Sequence, residues 1–258
     1  MIREQFGGVY AKNYDAIYTD LPYEKSVRFV EQVFFMCGKN IKDILSLGPG
    51  TCTPDIMLAK SGYRIHGVDK SVEMIELALA KIKSEGLTDK ISLEVGDAAY
   101  LKGDIYYDAA YALFNVAGYW STNEQVNLVF GGVSESLKKG GLFIFDAWYG
   151  PAVLTDRPGD RVKEIDLGNG RRVIRTTKTT LNLLDNTMDI NFHLIDIRGD
   201  YLIAETKETH TARYWFLPEL DYFLSQNGME LINASSLMDL NNPPSDESWD
   251  LWIVARKK

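Results

Sequence analysis

The apolar positions in the first half of the chain change period at short, regular intervals. Residues 41–47 form a mostly apolar run rich in Ile and Leu, as expected for a strand buried on both faces, and the run stops at Gly48-Pro49-Gly50. A helical pattern follows over 55–61, with Thr53 offering an N-cap hydroxyl, Pro54 in the first turn and Gly62 as the stop. Residues 63–68 predict a second strand ending at Asp69. Ser71 then caps a helix whose apolar positions include Ile75, Ala78, Leu79 and Ile82, ending near Gly86. A third strand over 91–95 alternates with period two and ends at Gly96-Asp97-Ala98, and a fourth covers 108–114. Residues 123–139 carry Val126, Val129, Phe130, Val133 and Leu137 at helical spacing. Lys138 and Lys139 complement that helix's C-terminal dipole before the Gly140-Gly141 stop, and a fifth strand spans 141–146. Strands and helices alternating at this pace imply a doubly wound parallel sheet, with a ligand crevice at the carboxyl ends of its strands.

After Gly150-Pro151 the helical period disappears. Extended segments over 162–216 alternate with the turn signals Gly168-Asn169-Gly170, Asp185-Asn186 and Arg198-Gly199-Asp200, which describes an antiparallel meander of about four strands. Between 188 and 194 the apolar residues share one face, with Asp189, Asn191 and His193 on the other, as in a sheet covered on one side. A helix then begins at Pro218 and stops at Asn227-Gly228, and extended stretches at 229–232 and 249–255 supply a final hairpin. The expected fold is α/β: a Rossmann-like doubly wound, mainly parallel seven-stranded sheet with an inserted antiparallel β cap. The expected division is N-terminal lid helices over 1–40, a core formed by 41–155 and 217–258, and a substrate cap over 156–216.

Charge narrows the function classes. Among 258 residues, 28 Lys plus Arg stand against 36 Asp plus Glu, a formal net charge of -8, and no dense basic run occurs before the terminal Arg256-Lys257-Lys258. That balance disfavours a nucleic-acid partner, because such affinity is dominated by cationic contacts with phosphate. The two cysteines, Cys37 and Cys52, make no disulfide framework and no zinc spacing, so no metal is expected and a cytoplasmic setting is the default. The first residues carry no secretory pattern, and no apolar run approaches the roughly 20 residues a membrane span needs. A homodimer is compatible with the sequence, and oligomeric state stays open.

The glycine turn is where chemistry can be argued. Gly48 and Gly50 let the backbone approach a ligand closely, and the helix start that follows presents unpaired N–H groups. Asp69 lies 21 residues after Gly48 at the end of the second strand, where a carboxylate can accept both hydroxyls of a ribose. A nicotinamide fingerprint would require a third glycine where Thr53 stands. An NAD(P)-dependent oxidoreductase is therefore the alternative rather than the leading reading.

Four segments in order carry a resemblance: 45–52 (Leu-Ser-Leu-Gly-Pro-Gly-Thr-Cys), 67–71 (Gly-Val-Asp-Lys-Ser), 96–98 (Gly-Asp-Ala) and 137–142 (Leu-Lys-Lys-Gly-Gly-Leu). Together they resemble the motif series of class I S-adenosylmethionine-dependent methyltransferases, over about residues 40 to 150. The resemblance implies S-adenosyl-L-methionine as cofactor. Leu47, Gly48, Pro49 and Gly50 would lie along its methionyl part, Asp69 and Lys70 at its ribose, Gly96, Asp97 and Ala98 at its adenine, with Met74 and Phe114 completing the pocket. Two positions depart from the family, which usually has an acid at Ser46 and a third glycine at Cys52. Ser46 brings no charge to the cofactor's ammonium side, and Cys52 crowds the turn if its φ is positive. A protein that binds the cofactor without transferring methyl is the corresponding second alternative.

Tyr10, Tyr14 and Tyr18 recur every four residues, as one stripe of a helix. The stretch is similar to the N-terminal lid of small-molecule methyltransferases, which implies that Tyr14 closes over the cofactor. The segments 145–151 and 210–220 resemble methyltransferases acting on amino sugars and related metabolites, which implies a small-molecule acceptor. In an extended strand His210, Ala212, Tyr214 and Phe216 share one face, and Arg213 lies on the other. If that first face looks into the crevice, His210 can take a proton from the substrate and Tyr214 can position it. Asn115, Tyr119 and Trp120 after the fourth strand, with Trp148, Tyr149 and Arg213, are the expected acceptor contacts. The expected reaction is an in-line displacement by nitrogen or oxygen on the methyl carbon. The protein would contribute alignment and exclusion of water, with a base only where the nucleophile arrives protonated.

Overall fold

Two separate sheets organise the chain, as seen in a computed structural model that describes residues 5–38, 40–101, 103 and 106–258. Residues 1–4 and 39, part of the expected N-terminal lid, lie outside the described residues. The chain opens with α1 (Gly8–Lys12), α2 (Tyr14–Ile17) and α3 (Tyr23–Met36). The alternating half follows as β1 (Asp43–Leu47), α4 (Thr53–Lys60), β2 (Arg64–Asp69), α5 (Val72–Ser84), β3 (Ile91–Val95), β4 (Tyr107–Ala112), α6 (Asn123–Ser136), β5 (Leu137–Trp148) and α7 (Gly150–Thr155). The meander is β6 (Arg161–Gly168), β7 (Arg171–Asn182), β8 (Thr187–Arg198) and β9 (Tyr201–Arg213). The chain then closes with α8 (Leu217–Gln226), β10 (Met229–Ser235) and β11 (Asp250–Lys257).

The larger sheet has seven strands in the order β10-β11-β5-β4-β1-β2-β3, with β11 antiparallel to both its neighbours and the other pairs parallel. The order reverses at β1, so β2 and β4 flank it and a crevice opens above their carboxyl ends. One face is covered by α6 and α8, whose Val126, Val129, Phe130, Leu220 and Leu224 are buried against Phe143 and Phe145. The other is covered by α3, α4 and α5 through Phe29, Ile56 and Ile82. Each such side chain contributes about 1.5–3 kcal/mol of hydrophobic stabilisation.

The smaller sheet is a four-stranded antiparallel meander, β6-β7-β8-β9. Its register sets Ile190 opposite His210 and Phe192 opposite Glu208, so these four share one face. The N-terminal helices are gripped between that sheet and α5: Val9, Tyr10 and Ile17 pack with Met74 on one side and with Ile165, Val173 and Leu194 on the other. This grip holds the cap over the carboxyl ends of the main strands.

Four local expectations need correction. Thr53 does not cap α4; Cys52 takes the N-cap position with φ 60, and Thr53 Oγ1 instead accepts from Lys81 Nζ at 2.7 Å. Residues 137–139 do not continue the preceding helix, because Leu137 turns extended and pairs with Tyr107, and Lys138 binds Asp108 at 2.6 Å rather than the helix end. Leu79 faces outward, 47% exposed. The three tyrosines do not ride one helix: Asn13 (φ -116, ψ 13) separates α1 from α2. Their rings nonetheless converge, with Tyr10 and Tyr18 hydroxyls 2.5 Å apart.

Candidate active site

A cavity of about 1030 Å³ opens where the carboxyl ends of β1, β2, β3 and β4 meet the N-terminal helices and the cap. Ligand sites typically run about 300–1,000 Å³, so it has room for a cofactor and a small second molecule.

The glycine turn forms its floor. Gly48 and Gly50 both have left-handed backbone (φ 61 and 55), and a Cβ on Gly48 would lie 2.8 Å from Val116 Cγ2. The turn therefore needs glycine at Gly48 for two reasons, backbone hand and close approach. Cys52 adopts φ 60 without being glycine and is fully buried, so the crowding conditional on a positive φ is real here.

Asp69 ties the turn to the second strand. Its Oδ2 accepts the Gly50 N–H and its Oδ1 the Ser71 N–H, each at 2.9 Å. Burial raises its carboxyl above the ordinary range, while these two hydrogen bonds act in the opposite direction. Each oxygen keeps a lone pair for a further donor. Lys70 is paired with Asp97 at 3.0 Å, and Asp97 Oδ1 accepts the Ala99 N–H.

At the end of β4 the backbone is unusual. Phe114 and Asn115 are both left-handed (φ 64 and 59) without being glycine. Asp146 on β5 holds them there, its two oxygens accepting the Phe114 N–H at 2.5 Å and the Asn115 N–H at 2.7 Å. Burial pushes the Asp146 carboxyl up to about 7 despite these bonds. Such non-glycine outliers persist only where surroundings over-determine them, and they cluster at functional sites. Asn115 Oδ1 in turn accepts the Trp148 N–H at 3.2 Å.

Under the cap, Tyr119 Oη lies 2.8 Å from His210 Nδ1, and His210 Nε2 lies 2.8 Å from Glu208 Oε2. Glu208 also accepts the Phe6 N–H at 2.9 Å and the Gly7 N–H at 3.0 Å. A carboxylate only accepts, so Nε2 carries a proton toward Glu208, and in the tautomer protonated at Nε2 alone Nδ1 accepts from the Tyr119 hydroxyl. His210 is fully buried and ringed by Phe6, Tyr10 and Phe192, with centroids 4.7 to 5.5 Å away. Burial foremost, then the nearby Tyr18 and Glu208, keeps Tyr119 well above the usual phenol range and so un-ionised.

Most of the sequence-nominated residues converge on this cavity. Tyr14, Leu47, Pro49, Asp69, Lys70 and Met74 line it, as do Gly48 and Gly50 of the turn. Gly96, Asp97 and Ala98 line it after β3, and Phe114, Asn115, Tyr119, Trp120 and Trp148 line it beyond β4 and β5.

Four nominated residues lie elsewhere. His210 is behind Tyr119, not on the wall. Tyr214 is buried in an apolar cluster with Val153, Met188 and Ala212, away from the cavity. Arg213 is ion-paired with Glu219 and sits 4.3 Å over the Trp215 ring, which makes it a structural cation. Tyr149 packs into the core on the α8 side. The alternation does carry Ala212, Tyr214 and Phe216 to one side, but that side packs into the apolar cluster around Val153 and Met188, while Thr209 and Thr211 at the alternate positions line the cavity.

Glu208, Asp55 and Asp146 escaped the sequence reading. Glu208 is two residues before His210 on the same strand face, a signal parity could have supplied. Asp55 is a charge whose helical neighbours Leu58 and Ala59 are fully buried, another legible anomaly. Asp146 reads only as the end of an apolar strand.

Residues 44–141 match the family described as a methyltransferase domain, Methyltransf_25. A methyltransferase-named protein of Geobacillus sp. (strain WCH70) is 30% identical over 134 residues, covering 52% of this chain and 53% of the relative. The corresponding protein YqeM of Bacillus subtilis (strain 168) is 29% identical over 138 residues, 53% of each chain. The chain thus spans about half the length of these curated relatives. Among solved structures, a S-adenosylmethionine-dependent methyltransferase from Clostridium acetobutylicum ATCC 824 superposes with a TM-score of 0.83 at 21% identity, covering 96% of this chain and 97% of that one. The sugar N-methyltransferase KedS8 from Streptoalloteichus sp. ATCC 53650 gives 0.81 at 16% identity, covering 100% and 96%. Residues 44–141 thus carry a match to a methyltransferase domain, and the whole chain has the fold of solved S-adenosylmethionine-dependent methyltransferases.

Proposed function

We propose that the protein transfers a methyl group from S-adenosylmethionine to nitrogen or oxygen of a small-molecule acceptor, an amino sugar or related metabolite being the class to test first. The observation that carries this reading is the single cavity that has Asp69 and the Gly48–Gly50 turn at one end and the Tyr119 hydroxyl, backed by His210, under the cap. The likeness of the whole chain to the sugar N-methyltransferase supports the acceptor class.

The residues present fit the cofactor. Asp69 has free acceptor capacity at the end of β2, and the turn presents bare backbone where a side chain would obstruct. When bound, S-adenosylmethionine supplies a methyl group on a positively charged sulfur, open to in-line attack. Asp69 holds hydroxyls, and Asp97 with Ala98 flanks the far end of the pocket. Tyr14 and the N-terminal helices exclude water, which strengthens every polar contact inside. Tyr119 takes the acceptor's proton at Oη while its own proton passes to His210 Nδ1, and Glu208 compensates the imidazolium that results. His210 therefore acts through Tyr119, and alignment supplies most of the remaining acceleration.

The test is a product assay. Purified protein with S-adenosylmethionine and a panel of amino sugars, hydroxylated sugars and simple amines should release S-adenosylhomocysteine with at least one amine or hydroxyl acceptor. Tight S-adenosylhomocysteine binding without turnover across the panel would favour a binding protein. A melting temperature raised by NAD(P) but not by S-adenosylhomocysteine would favour an oxidoreductase.

A further inference from the structure

Among the described residues, no cation is paired with the Asp55 carboxyl. Asp55 sits on the first turn of α4, has no exposed surface, and lines the cavity. Tyr111 on β4 donates to its Oδ1 at 2.7 Å, and Oδ2 makes no comparably close hydrogen bond among the described residues. Ser46 Oγ, on β1 and also on the cavity wall, is buried beside the carboxyl and can offer it a hydroxyl hydrogen. Asp55 therefore has only neutral donors around it, and a buried carboxylate in a cavity wall calls for a charged donor that arrives from outside.

The charges around Asp55 sharpen that demand. Tyr111 and Cys52 face it as neutral acids, both held protonated by burial, and Asp69 adds a second negative group. Lys81, the cation near this helix start, is committed to Asp15 at 2.8 Å and Thr53 at 2.7 Å. Burial accordingly raises the Asp55 carboxyl, with the hydrogen bonds from Ser46 and Tyr111 opposing. An isolated buried carboxylate is among the most unfavourable groups a protein can carry, and a positively charged donor relieves it.

Topology says which end of a ligand meets it. Asp69 and Asp97 follow β2 and β3, on one side of β1, whereas Asp55 reaches Tyr111 of β4 on the other side. A ligand whose nucleoside is held on the β2–β3 side extends its remaining end across the turn toward Asp55. For S-adenosylmethionine that end is an amino acid bearing an ammonium group. We propose that Asp55, flanked by Ser46 and Tyr111, is the acceptor for the cofactor's α-ammonium group, a charge role displaced from the β1 strand end to the first turn of α4. This rests on the methyltransferase reading above.

The experiment compares two probes on the 258-residue chain: S-adenosylhomocysteine, which carries the amino-acid end, and 5′-methylthioadenosine, which lacks it. Asp55→Asn should weaken S-adenosylhomocysteine by about tenfold or more, as loss of a charge-assisted hydrogen bond does, with 5′-methylthioadenosine affinity within about twofold of wild type. Equal loss for both probes, or no loss for either, overturns the assignment. Should the variant not fold, the two probes are titrated against the wild type from about pH 8 down to about pH 4.5. The ratio of S-adenosylhomocysteine to 5′-methylthioadenosine affinity should fall as pH is lowered, because only the first probe loses its charged partner when Asp55 takes up a proton. A ratio independent of pH overturns the proposal. If neither probe raises the wild-type melting temperature, the cofactor reading itself falls, an outcome distinct from the others.

Discussion

Tyr119 Oη and His210 Nδ1 stand 2.8 Å apart although 91 residues separate them. The tyrosine comes from the loop after β4 of the main sheet and the histidine from β9 of the cap, so the contact joins the two sheets at the cavity. Glu208 adds the N-terminal segment to the same junction through the Phe6 and Gly7 N–H groups.

Tyr119→Phe keeps the ring packing and removes the hydroxyl. Turnover of an amine acceptor should fall by up to about 100-fold, the low end for positioned acid–base groups, with S-adenosylhomocysteine affinity unchanged. The deficit should shrink as pH rises and the amine arrives already deprotonated. A pH-independent deficit would limit Tyr119 to shaping the pocket.

Glu208→Ala strips three donors of their acceptor in a buried setting. Urea unfolding should show a loss of about 2–3 kcal/mol, and limited proteolysis should cut before α1 faster than in wild type. Unaltered protection of the N-terminus would mean that its packing alone holds it.

Asp69→Ala should weaken S-adenosylhomocysteine and 5′-methylthioadenosine alike, since both carry the ribose. Calorimetric titration of the two ligands checks this, and a loss confined to one of them would argue against a ribose role.

Gly48→Ala introduces a side chain at φ 61 that would sit 2.8 Å from Val116 Cγ2. The left-handed conformation alone costs about 1–2 kcal/mol. Thermal melts should show that destabilisation, together with loss of the shift caused by S-adenosylhomocysteine. Pairing it with Val116→Ala should recover part of the stability by removing the clash.

Asp146 titrates near 7 in the folded state against an ordinary value of 3.8. The native state therefore holds a proton that the unfolded chain has released, and the stability from this group declines as pH rises from about 4 to about 7, then levels off. Asp146→Asn should lack that decline, so wild-type and variant unfolding free energies measured between pH 5 and 8 should converge or cross rather than run parallel. Parallel curves would mean that Asp146 is ionised throughout.

Sequence alone determined the alternating half of the fold, because the period of apolar residues and the positions of Gly and Pro are local properties of the chain. Five parallel strands, the glycine turn, Asp69 at the end of β2 and a four-stranded meander could all be read there. The helix boundary at Leu137 could not, because burial of that side chain and its pairing with Tyr107 overrode a helical period that continued past it. Nor could the split of the tyrosine stripe at Asn13, whose side chain is occupied by the Val9 carbonyl. For the site, local pattern nominated the residues and tertiary structure assigned their neighbours. His210 was legible as a candidate, but only the packing of β9 against the loop after β4 decided that Tyr119 stands between it and the cavity. Likewise Asp55 becomes informative only when β1, α4 and β4 are brought together, since an unpaired buried charge is a property of surroundings that no stretch of sequence contains.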